Sequence, residues 1–276
     1  MNAGLAFALL ALVFVPLERL HRANAQPVLR RGYGVDLLFF AGQYLVWFVP
    51  ALAVLSLAAQ AIETLPLTGV QRSVGQLPIA LQALLALLVA DGAMYWFHRA
   101  SHRHRFLWRF HRVHHTARDV DWLAAHREHP VDNVLTRLVE NLPPLVLGVP
   151  LEVLAGLVVF RGLWALFIHA NVTLDPGPLR YLLGAPRLHR WHHEVDHHAR
   201  VNFANLCPLM DLIFGTYHDP RRQPERFGVH ERVREGYLGL LLEPFGILRP
   251  LRRRASVSGV AGVVAPAADG ERAGVA

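Results

Sequence analysis

The chain has 276 residues, 53% of them hydrophobic and only 18% charged, with a formal charge of +7 and a pI near 10.4. Its single cysteine, Cys207, excludes an internal disulfide, a cysteine-ligated iron–sulfur cluster and a four-cysteine zinc site within one chain. Arginine alone carries the basic excess, which reads as juxtamembrane charge near anionic lipid rather than as a nucleic-acid surface.

Residues 2–17 carry no charge and predict a short membrane helix. Glu18, Arg19, His21 and Arg22 separate that run from the small-residue stretch Ala23-Asn24-Ala25, which argues against signal-peptide cleavage there. Residues 37–62 are also uncharged and exceed the ~20 residues a spanning helix needs. Leu77 to Phe97 predicts a further span with one acid, Asp91, near its end. Arg19, Arg22, Arg30 and Arg31 crowd the first loop, whereas the loop after the second span holds only Glu63 and Arg72. The first loop and the region after Phe97 are therefore expected on the cytoplasmic side. The apolar region 141–170 is interrupted by Glu152, Arg161, Pro143, Pro144 and Pro150, and reads as two shorter segments forming a hairpin. Residues 221–250 are expected to associate with the membrane. Residues 251–276, which start with Arg252, Arg253 and Arg254, read as a disordered tail. The fold class is all-α: an integral-membrane helical bundle, with N-terminal membrane helices over 1–90 and a histidine-rich, metal-binding region on the cytoplasmic side. Trp47, Trp96, Trp108 and Trp164 read as interface anchors or core.

Fourteen of the 17 histidines fall between positions 98 and 198. His98 and His102 form H-x3-H; His111, His114 and His115 form H-x2-H-H; His189, His192 and His193 repeat it. On a helix, Asp91, Tyr95, His98 and His102 fall within about 60° of arc. A membrane-embedded acid is costly, so Asp91 is expected to accept from a ligating imidazole or to be a ligand itself. The rings of an H-x2-H-H span about 100° of arc and can converge on one metal or on two adjacent metals. Eight imidazoles exceed what one tetrahedral zinc needs, and nitrogen ligands suit iron, zinc, copper and nickel alike. His193-Glu194-Val195-Asp196-His197 also matches the H-E-x-x-H zinc-hydrolase pattern, which leaves the other two clusters without a role. A metal-dependent membrane hydrolase and a non-catalytic metal- or lipid-binding membrane protein stay open as alternatives. His21, His104, His197, His198, His218 and His230 are read as surface residues.

The run from Asp91 through Tyr95, Trp96, His98 and His102, then Trp108-Arg-Phe-His111-Arg-Val-His114-His115, resembles the fatty acid hydroxylase superfamily, also called the sterol desaturase family. The resemblance continues through His129-Pro130-Val-Asp132, His169-Ala-Asn171, His189-Arg-Trp-His192-His193, Asn202-Phe and Asp211-Leu-Ile-Phe214-Gly215-Thr216-Tyr217, and covers 91–220 as a catalytic domain. Ala125 and His126, ahead of Arg-x-His-Pro, depart from the family's usual apolar or aromatic residue.

The resemblance implies two iron ions that activate O2. It assigns them His98, His102, His111, His114, His115, His189, His192 and His193, with His169 as a ninth ligand and His129 as a ligand or its supporter. Asp91, Tyr95 and Asp132 are expected to tune the site. The implied reaction is O2-dependent hydroxylation or desaturation of a lipid, sterol-like or fatty-acyl. The chain shows no motif for a redox cofactor of its own, so an external electron donor is expected, a ferredoxin or a cytochrome with its reductase.

Overall fold

A computed structural model describes residues 2–66, 68–196 and 200–248 of the chain; His197, His198 and the expected tail over 251–276 lie outside them. The helices are α1 (Ala3–Leu20), α2 (Tyr33–Gly42), α3 (Phe48–Glu63), α4 (Thr68–Gly75), α5 (Ile79–Arg103), α6 (Arg105–His115), α7 (Pro130–Val146), α8 (Leu151–His169), α9 (Arg180–Leu183), α10 (Pro186–His192), α11 (Leu209–Ile213) and α12 (Tyr237–Leu242). A five-residue π-helical stretch, Gln43–Trp47, joins α2 to α3 without a break. Among the described residues the only β-pairing is two isolated bridges, Arg22 with Val172 and Glu194 with Phe227. The fold is all-α.

Among the described residues, four helical stretches are long and apolar enough to cross a membrane: Ala3–Leu20, Tyr33–Glu63, Ile79–Arg103 and Leu151–His169. Their outward leucines and valines, such as Leu12, Leu45 and Val49, are exposed, which suits a lipid surface rather than water. The expected hairpin over 141–170 is present but differently cut. Pro143 and Pro144 lie inside α7, and the chain turns at Gly148, whose φ is +84°. A side chain at Gly148 would place Cβ 2.5 Å from Gln71 Cα, so both the positive φ and the close backbone demand glycine. The second arm, α8, is a full-length span rather than a short segment. It tolerates Arg161 because that guanidinium meets Glu140 of α7 at 3.5 Å, and Glu140 also pairs with Arg137.

α5 packs along α7 and folds back onto α6; α8 meets α10. The C-terminal ends of α5 and α8 converge, and both end in histidine-bearing turns. A buried ionic lattice fixes the loops above them. Arg30 pairs with Asp36 and Asp121, and Arg127 pairs with Asp36. The carboxylate of Glu18, near the end of α1, accepts from the backbone N–H of both Trp122 and Asn171 at 2.9 Å. The N-terminal helices thereby hold the segments that flank the histidines.

Candidate metal centre

His98 and His102 sit one turn apart at the end of α5. His104, with extended backbone (φ −94°, ψ 118°), bends the chain directly into α6, which carries His111, His114 and His115. His169 is the last residue of α8, and α10 supplies His189 and His192, with His193 as its cap. Nine histidines from four helices thus meet in the interior.

They form two groups, each with its ring nitrogens within 4.8 Å of one another: His98, His102, His111, His115 and His192, and His114, His169, His189 and His193. The partition follows helical geometry. Residues four apart share a face, so the pairs 98/102, 111/115 and 189/193 each stay together. The remaining histidine of each H-x2-H-H crosses over: His114 joins the second group and His192 the first. The groups touch through the stacked rings of His115 and His193, with centroids 4.4 Å apart.

Second partners fix the ring orientations. The Nδ1–H of His98 donates to Phe203 O at 2.7 Å, that of His114 to Arg127 O at 3.2 Å, that of His169 to Ala165 O at 2.7 Å and that of His192 to Val201 O at 2.8 Å. His111 Nδ1–H donates to the carboxylate of Asp132 at 2.9 Å. Such bonds set the tautomer that leaves Nε2 as a lone-pair donor.

The Nε2 atoms of His98, His102 and His192 are buried without a hydrogen-bond partner. A buried polar atom with no partner costs about 1–3 kcal/mol, and a bound cation removes that cost. Burial first, and neighbouring histidines second, hold His114, His115, His189 and His193 well below the ordinary imidazole range. Burial likewise brings His192 down to about 3. All five are neutral near pH 7, the form that binds metal. A nitrogen-only donor set in two adjoining groups therefore fits metal ions.

Other expected residues stand elsewhere. Asp91 accepts from the backbone N–H of Leu206 and Cys207, and among the described residues no hydrogen bond joins it to a histidine. It shares the helix face of His98 but lies about 10 Å further along the axis, at 1.5 Å per residue. His129 belongs to neither group: it caps α7, its Nδ1 accepting from Val131 N, while its Nε2 meets Leu241 O. Pro130 at the first helical position signals that capping role. Tyr95 is buried outside both groups, its hydroxyl against Thr216 Oγ1 and Arg99. His126 also stays outside, bonded to Gln43 Oε1 at 2.7 Å.

Several supports escaped the sequence reading because they are backbone carbonyls. The Phe203 carbonyl is placed by Asp211, whose carboxylate accepts from Phe203 N, Ala204 N and Thr216 Oγ1. Next to it, Asn202 adopts φ +54°, and its side chain bridges Leu188 O and both backbone groups of His218. The Asn202-Phe and Asp211…Thr216 motifs were the available signal.

Fold and site together define a helical protein with membrane-length helices and two adjoining histidine groups suited to metal ions. Residues 83–216 match the fatty acid hydroxylase family profile, and this segment of the chain belongs to that family. The chain is 34% identical over 172 residues to ornithine lipid hydroxylase of Rhizobium tropici, covering 62% of this chain and 52% of that protein. It is 32% identical to alkylglycerol monooxygenase of Homo sapiens over 48% of this chain and 29% of that protein. It is 29% identical to a Delta(7)-sterol 5(6)-desaturase of Gibberella zeae over 50% and 38%. The chain thus spans about half of the first of these proteins and a smaller share of the other two. No solved structure matches it.

Proposed function

We propose that the protein is a membrane-bound di-iron oxygenase that uses O2 and an external electron donor to hydroxylate or desaturate a lipid. The observation that carries this is the interlocked pair of buried histidine groups, nine imidazoles in all, on a frame of membrane-length helices. The relatives, a lipid hydroxylase, a monooxygenase and a sterol desaturase, support the oxygenase class. His98, His102, His111, His115 and His192 would hold one ion and His114, His169, His189 and His193 the other. When bound, the ions would supply reduction of O2 and attack on a C–H bond; for hydroxylation R–H, O2, two electrons and two protons give R–OH and water. Asp132 and the carbonyls of Phe203, Arg127, Ala165 and Val201 hold the rings in the binding tautomer. Burial of eight of the nine rings, all but the half-buried His102, limits competition from bulk water for the lone pairs. The arginine-rich first loop supports a cytoplasmic histidine end, where a ferredoxin or cytochrome with its reductase would reach it.

The test is elemental analysis of protein purified in detergent from iron-replete, anaerobic culture. The expected result is close to two irons per chain, lost in H114A/H192A, which takes one ligand from each group. Zinc alone, or no metal, under those conditions would sink the di-iron reading and favour a hydrolytic or non-catalytic role.

A further inference from the structure

A cavity of about 470 Å³ opens beside the first histidine group, and His102 and His115 form part of its wall. A slot for an acyl chain would be lined by aliphatic residues. This one is bordered instead by Arg99, Arg103 and Arg200, together with Glu194 and Glu231. Three guanidinium groups thus share the lining with two carboxylates, and Glu194 already accepts from Asp196 N. Among the described residues none of the three arginines forms an ion pair; Arg99 gives one N–H to the Tyr95 hydroxyl and keeps four other donors.

The apolar surface lies next door. Trp96, Arg99 and Arg103 share one face of α5, within about 60° of arc. Trp96 is 48% exposed and packs its ring against Phe214, at 4.7 Å between centroids. Phe214 follows α11, whose Leu209, Leu212 and Ile213 are all exposed. Along this edge an exposed apolar shelf passes into a basic cavity, with Arg99 lying over the Trp96 ring at 5.5 Å.

From this arrangement, and resting on the oxygenase reading, we infer that the substrate is a lipid with an acidic headgroup, a carboxylate or phosphate. The arginine cavity holds that headgroup, and the hydrocarbon lies along the Trp96–Phe214 shelf. Guanidinium forks match both acid groups bidentately. A sterol offers a single hydroxyl, which leaves the guanidinium groups without a counter-charge, so the cavity selects against it. Because His102 and His115 share the cavity wall, the C–H bond attacked lies in the headgroup or on the carbons next to it. The redox balance is that of the hydroxylation above, with electrons from the same external donor.

The test compares three single-chain probes with one oleoyl tail: N-oleoylglycine, oleoyl lysophosphatidate and monooleoylglycerol. Binding to the metal-loaded protein in dodecyl maltoside is read from tryptophan fluorescence, since Trp108 borders the cavity. The variant is R103Q/R200Q, which changes two exposed side chains and no histidine. The wild type should bind an acidic probe about tenfold or more tightly than monooleoylglycerol, and the variant should lose that preference while binding the neutral probe unchanged. Whichever acidic probe binds more tightly identifies carboxylate or phosphate. Equal binding of acidic and neutral probes by the wild type would overturn the inference. So would a variant with intact lipid preference but slowed reduction by an acidic ferredoxin, which assigns the arginines to a protein partner. In turnover, added oxygen should map by fragmentation to the headgroup end, and oxygen near the chain terminus would refute the placement. Selective binding with no turnover and no iron would sink the oxygenase reading and leave the headgroup site standing.

Discussion

The Nε2 atoms of His114 and His169 face each other at 3.0 Å while both Nδ1–H groups are engaged by backbone carbonyls, of Arg127 and Ala165. In that tautomer each Nε2 presents a lone pair, so the contact is a repulsion unless a cation lies against both. His189 Nε2 meets His169 Nε2 at the same distance. The second group is thus wired for an ion, and H169A should remove it selectively. We expect metal content to fall to about half, with the five-histidine group still loaded, by elemental analysis. Retention of both ions would remove His169 from the ligand set.

Asp132 tests the support beneath the first group. D132N keeps the shape but weakens the acceptor for His111 Nδ1–H. Losing such a partner costs roughly 10–100-fold in metal affinity. Competition with a chelator should show that loss, with little change in the helical circular dichroism.

Acid should strip the centre and then unfold it. In the unfolded chain histidines take protons near 6.5; in the fold burial keeps His192 at about 3 and His114, His115, His189 and His193 well below 6.5. Between about 3 and 6.5 the unfolded state therefore binds more protons, so stability rises with pH across that window and is fully present above it. Protons also compete with metal for the same nitrogens. Bound metal and melting temperature should hold between pH ~7 and ~8 and drop together by about pH 5; unchanged metal retention there would contradict the imidazole assignment.

The ionic lattice above the site is the most sensitive structural position outside the histidines. Asp36 is fully buried between Arg30 and Arg127. D36N leaves two guanidinium groups short of a carboxylate, a loss of about 3–5 kcal/mol for a broken buried pair. Because Arg127 O orients His114, the same variant should also loosen metal in the second group. Thermal unfolding in detergent and metal analysis read the two effects separately.

At Gly148 an alanine meets Gln71 and a left-handed backbone at once. The conformation alone costs about 1–2 kcal/mol. A lower melting temperature with normal metal stoichiometry is the expected result.

The histidine clusters and the uncharged runs made the class and three of the four membrane-length helices legible from the sequence, because ligand spacing and hydrocarbon thickness are local, periodic constraints. The crossing of His114 and His192 between groups follows from the same 100° per residue, but which helices face each other does not. Asp91 shares the arc of His98, but angular position says nothing of distance along the axis. A His-Pro helix start and a histidine ligand look alike in sequence, and His129 caps α7. The carbonyls of Phe203, Val201, Arg127 and Ala165 carry no side-chain signature. Trp108, read as an anchor or core residue, borders the arginine cavity, which only folding assembles.

The segment that matches the family begins at residue 83, yet Glu18, Arg30 and Asp36 are bonded into the loops between its histidine boxes. A boundary drawn where similarity starts would cut through that lattice, leaving Arg127 without its carboxylate and the Trp122 and Asn171 amides without their acceptor. The first two helices are therefore not a detachable anchor for the histidine-bearing segment. They are the upper half of its scaffold, and a chimera that exchanges them must carry Glu18, Arg30 and Asp36 across with the spans.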